Sequence, residues 1–74
     1  MKKALIFLAE GFEEIEAVTP LDLLRRAGVD AKFVSLTGNL AVTGAHGVTY
    51  QADMLFSHSV VQNVDMLILP GGMP

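Results

Sequence analysis

The sequence has no cysteine and no tryptophan, and its 74 residues include only five lysines and arginines together, two histidines and three prolines. Without cysteine these residues can form no disulfide, no thiolate metal site and no thiol nucleophile. The two histidines, His46 and His58, stand at no zinc-like spacing, so no metal or other cofactor is expected. Five basic residues against eight acidic ones give a net charge of −3, which leaves no positive stripe to neutralise phosphates. Nucleic acid is therefore excluded as a partner. Met1-Lys2-Lys3 followed by the apolar run Ala4–Ala9 imitates a signal peptide, but Glu10 stops the run below the roughly 7–15 residues of an h-region. No segment approaches the ~20 apolar residues of a membrane-spanning helix, so the expected location is the cytoplasm, away from membranes. Also missing are a Gly-x-Gly-x-x-Gly after the first apolar run, a P-loop and a Gly-x-Ser-x-Gly elbow. Their absence argues against dinucleotide binding, phosphoryl transfer and serine hydrolysis.

What is present is core-like. The composition is 51% hydrophobic and 18% charged, too apolar for a disordered chain. A chain of this size buries only about 60% of its unfolded surface and is marginal alone. With neither disulfide nor metal to staple it, it is expected to oligomerise or to be part of something larger.

The pattern along the chain is that of one open α/β sheet without repeats or linkers. Ala4 to Ala9 is continuously apolar, the signature of a parallel strand covered on both faces. Gly11 breaks it. Glu13, Glu14 and Glu16 then open a segment whose acidic start and Arg25-Arg26 end match a helix dipole, and Gly28 closes it. Ala31 to Leu36 reads as a second strand with one less buried face. Leu40–Thr43 and Val48–Tyr50 suggest a hairpin on the edge of the sheet, with Gly44-Ala45-His46-Gly47 as its loop. Phe56 to Gln62 fits a short helix capped by Ser57, and Val64 to Leu69 another buried strand, ending in Pro70-Gly71-Gly72.

One side chain is out of place. At roughly 100° per residue, the helix gathers Pro20, Leu21, Leu23, Leu24, Ala17 and Ala27 on one arc, and Glu16 falls inside it. Its angular neighbours are Leu23 and Ala27, each about 20° away. Burial there would favour the protonated form, making Glu16 a candidate proton donor or hydrogen-bonding acid. Pro20 adds a backbone perturbation, since it has no N–H to give to the carbonyl of Glu16. The alternative is that Glu16 reaches water at the edge of the arc or pairs with an arginine of a neighbouring subunit. Glu13 and Glu14 read as first-turn acids complementing the dipole, and His46 and His58 as incidental.

Ligands of open α/β sheets bind at the carboxyl ends of the strands. Ala9-Glu10-Gly11 and Leu69-Pro70-Gly71-Gly72 would both lie there and share one site. Paired glycines let the backbone approach a ligand and turn N–H groups toward an oxyanion, although a Pro-Gly-Gly is as readily a plain turn.

Two stretches carry a resemblance. Lys3-Ala4-Leu5-Ile6-Phe7-Leu8-Ala9-Glu10-Gly11-Phe12-Glu13-Glu14-Ile15-Glu16 with the following Pro20–Gly28 helix, and Asp65–Pro74 with its Leu-Pro-Gly-Gly, closely resemble the ThiJ/PfpI superfamily. The likeness covers essentially the whole chain. It implies a flavodoxin-like fold, also described as class I glutamine-amidotransferase-like: a three-layer α/β sandwich with a mostly parallel sheet, incomplete here. Residues 1–74 would be the amino-terminal part of a single domain. The family's site combines a protonated glutamate, an oxyanion-binding loop and a reactive cysteine on a later strand-to-helix elbow. Carried over, Glu16 takes the glutamate's place and Gly71 and Gly72 the loop's, while no cysteine is here to be the nucleophile. Such a glutamate favours the thiolate beside it.

The resemblance further implies a homodimer and a cysteine-dependent deglycase or glyoxalase-like hydrolase of the stress response. Its substrate would be a small carbonyl compound or glycated adduct, and the chain alone is not expected to be active. Other members of the superfamily are described as chaperones, proteases or amidases. A non-enzymatic interaction module fits the apolar surface that so short a chain cannot cover. A flavodoxin or response-regulator domain fits the topology but lacks the phosphate loop and acidic pair usual there.

Overall fold

A computed structural model describes residues 1–72; Met73 and Pro74, the end of the second signature, lie outside the described residues. The continuous apolar run becomes the inside of a sheet. β1 (Lys3–Leu8) is followed by helix α1 (Glu14–Arg26), β2 (Asp30–Ser35), β3 (Ala41–Thr43), β4 (Thr49–Gln51), β5 (Met54–Leu55), a single 3₁₀ turn (His58–Val61) and β6 (Met66–Ile68). Four strands form a parallel sheet in the order β5-β2-β1-β6, with Ile6 opposite both Phe33 and Ile68.

β1 serves both faces. Ile6 and Leu8 join Phe12, Ala17, Phe33, Val42 and Ala52 in one buried cluster, against which Val18 and Leu21 of α1 pack. Leu5 and Phe7 point the other way and join Val34, with Val60, Val61 and Val64 packed over them. Alternate side chains of one strand thus enter two cores, which is why the sequence shows no polar alternation there.

The ends of the strands are pinned by carboxylates. Asp65 accepts the Lys3 N–H at 2.8 Å and returns its own N–H to the Lys3 carbonyl at 2.9 Å. Asp53 does the same with Phe33, at 2.8 and 2.9 Å. Gly28, with φ of +85°, ends α1 where its pattern ends.

The hairpin forms, but not on the sheet's edge. β3 and β4 pair antiparallel in a separate two-stranded sheet. The edge next to β2 is taken by β5, a two-residue strand too short to leave a periodic signal. The hairpin instead lies over the core, with Val42 fully buried and the Tyr50 ring edge-on to Phe12 at 5.4 Å and Phe33 at 6.3 Å. The expected helix over Phe56–Gln62 shrinks to one 3₁₀ turn. Ser57 precedes it without capping it, because its hydroxyl pairs with that of Ser59 at 3.1 Å.

Candidate functional site

The two loops expected to meet do meet. The ends of β1 and β6 open into a cleft of about 300 Å³ lined by Ala9, Glu10, Gly11, Phe12, Leu69, Pro70, Gly71 and Gly72, among others. Its floor is a backbone crossing. Phe12 forms an isolated antiparallel bridge with Gly72, and Glu13 donates its N–H to the Gly71 carbonyl at 2.7 Å. A side chain at Gly72 would bring its Cβ within 2.5 Å of the Gly11 carbonyl oxygen and 2.9 Å of the Phe12 Cα, so the crossing requires glycine.

Glu16 reaches this crossing. Its Oε1 accepts the Gly71 N–H at 2.7 Å, a bond that spans 55 residues of sequence and ties α1 to the end of β6. The structure therefore brings Glu16, Gly71 and Gly72 together. The apolar burial expected from the helical wheel is not there: Glu16 and Ala27 are exposed, and Leu23 is 60% exposed. The arc that packs against the sheet is the one carrying Ala17, Val18 and Leu21, so the wheel joined a buried arc to an open one. The glycine pair also departs from expectation, since the Gly71 N–H is held by Glu16 rather than presented to a ligand.

A second contact was not legible from sequence. Glu14, whose side chain is only 12% exposed, accepts the His46 backbone N–H on Oε2 and faces His46 Nδ1 with Oε1, both at 2.8 Å. The Glu13 carboxylate stands 3.7 Å from the same ring nitrogen. The hydrogen bond from His46 lowers the Glu14 pKa below its usual value. In turn the hydrogen bond to Glu14, then the charges of Glu14 and Glu13, raise that of His46. Glu14 is thus more than a dipole-complementing acid and His46 is not incidental. The missed signal is Gly44, where a Cβ would lie 2.5 Å from Glu14 Oε2: the loop approaches the helix as closely as a glycine permits. The fold sets side-chain atoms of Glu13, Glu14 and His46 within 4.8 Å of one another. His58 is exposed, its ring edge-on to Phe56 at 5.9 Å.

Comparison with known proteins decides the family. The DJ-1/PfpI family profile matches residues 2–74. The chain belongs to the DJ-1/PfpI family. Protein DJ-1 homolog B of Arabidopsis thaliana is 41% identical over 73 residues, 99% of this chain and 17% of that protein. Protein dj-1beta of Drosophila melanogaster is 36% identical over 72 residues, 97% of this chain and 38% of that protein. Among solved structures, oxidized Toxoplasma gondii DJ-1 superposes with a TM-score of 0.93 at 39% identity, over 100% of this chain and 40% of that one. A cysteine-to-alanine mutant of a Salmonella typhimurium DJ-1 superfamily protein gives 0.90 at 39% identity, over 97% of this chain and 39% of that one. The mostly parallel α/β sheet is thus the DJ-1 fold in part, and the chain spans about two-fifths of those solved relatives.

Proposed function

We propose that these residues supply one half of the site of a cysteine-dependent DJ-1/PfpI hydrolase acting on reactive carbonyl compounds or their glycated adducts. The nucleophile comes from residues outside the 74. One observation carries the reading: the 2.7 Å bond that holds the Glu16 carboxyl to the glycine pair at the carboxyl end of the sheet. With Oε1 accepting the Gly71 N–H, Oε2 is the oxygen left to face a neighbouring sulfur. The role of the pair is then divided. Gly71 positions the acid, and Gly72 is the backbone donor left for an oxyanion formed when a thiolate adds to a carbonyl carbon. The Salmonella typhimurium relative was solved with a cysteine replaced by alanine, and the Toxoplasma gondii relative was solved oxidized.

Methylglyoxal turnover tests this, comparing the 74-residue chain with a version extended through a strand-to-helix elbow bearing a cysteine. Activity is expected only in the extended form; turnover by the 74 residues alone overturns the assignment.

A second reading, a chaperone or homodimerising module, is favoured by Ile15 and Leu23, 72% and 60% exposed on α1. Sedimentation distinguishes the two, since a stable monomer argues against dimerisation.

A further inference from the structure

We propose that Glu14 and His46 form a pH-operated latch that fastens the hairpin loop to the start of α1 and thereby fixes the rim of the cleft. The latch holds whatever reaction the cleft performs, because it stands on a different set of contacts.

The hairpin touches the rim through several bonds in sequence. Ala45 donates its N–H to the Phe12 carbonyl at 2.8 Å, and Gly11 donates to the Thr43 carbonyl at 2.9 Å. Thr43 donates to Glu10 Oε2 at 3.3 Å. Phe12 and Glu13 are the residues bound to Gly72 and Gly71, so loop, rim and glycine pair form one hydrogen-bonded layer. β3 and β4 have three residues each and, among the described residues, pair with no strand of the main sheet, so the hairpin is held by these backbone bonds, by the buried Val42 and by side-chain ties. Glu14 supplies a tie of two prongs, to the backbone and to the ring of His46.

The tie titrates. From α1 and the residue before it, Glu14 and Glu13 face the His46 ring. From the hairpin, Tyr50 lines the same hollow, and on the β1–α1 loop Glu10 is engaged with Thr43. A protonated ring completes a charge-assisted hydrogen bond, whereas a neutral ring retains at most the bond without the charge. Because the His46 pKa is raised on folding, its contribution is fully present below the ordinary 6.5 and is lost as pH rises through the raised value. The Glu14 pKa is lowered, so its contribution is present above the ordinary 4.5 and is lost as pH falls through the lowered value. The latch is thus fully closed between those two ordinary values, and opens as pH rises through the raised His46 value or falls through the lowered Glu14 value.

Amide exchange of His46 and Ala45, read by NMR on the complete protein with the His46 ring titrated in the same samples, tests this. After correction for intrinsic exchange, protection should fall about two- to fivefold as pH rises through the His46 midpoint, the range for a solvent-exposed ion pair. Glu14→Gln should remove the dependence, and His46→Arg, permanently charged, should keep protection at high pH. The titration of the unaltered protein needs no variant to fold. Flat protection across the His46 midpoint, or a ring that titrates as free histidine does, overturns the proposal.

Discussion

β1 and β6 are neighbours in one sheet and are written in the same apolar alphabet, yet they are treated differently. From Ala4 to Leu8 every residue of β1 is buried. In β6 only Ile68 packs against the core, while Leu67 is 53% exposed and Leu69, just beyond it, 75%. A central strand has partners on both edges and layers on both faces; among the described residues β6 has β1 on one edge alone. The lesson is that an apolar run reports the burial a strand is suited to, and the described residues deliver it only where two neighbours stand by.

Substitutions sharpen the contrast. Ile6→Ala removes a fully buried side chain from the larger core and should cost about 2–5 kcal/mol, enough to unfold a chain of this size, as chemical denaturation would show. Gly72→Ala drives a Cβ into the backbone of the crossing and should cost about 1–3 kcal/mol, with chemical-shift changes centred on Gly11 and Phe12. Titrating the latch should come next: thermal midpoints of the unaltered protein should decline as pH rises past 6.5 or falls past 4.5, more than those of Glu14→Gln. Smallest is Leu67→Ala, within about 0.5 kcal/mol in the 74 residues, because little surrounds that side chain. A cost in a longer form comparable to that of Ile6→Ala would show that β6 is covered there.

How much of this was legible follows from which interactions are local. β1, α1 and β6 could be placed to within a few residues because their signals, an apolar run, a dipole-matched helix and a terminal Pro-Gly-Gly, are carried by adjacent residues. The meeting of the two strand-end loops followed from the rule for parallel sheets. The hairpin's seat did not, because it depends on β5 claiming the edge of β2. Glu16 was singled out for a burial it does not have, and it lies beside the glycine pair that the resemblance placed in the same site: the wheel knows angles, not what lies opposite them. Glu14 and His46 lie 32 residues apart, and only the fold makes them a pair.

The most direct test of the account is the rate of carbonyl-adduct turnover by the complete protein carrying Glu16→Gln, set beside Asp22→Asn. The glutamine can still accept the Gly71 N–H but cannot supply the acid's proton or charge. Asp22 is an exposed partner of Arg26 on the same helix. The account predicts a fall of about 10²–10⁴-fold for Glu16→Gln, the usual worth of a positioned acid or base, and little change for Asp22→Asn. Equal rates in the two variants would contradict it.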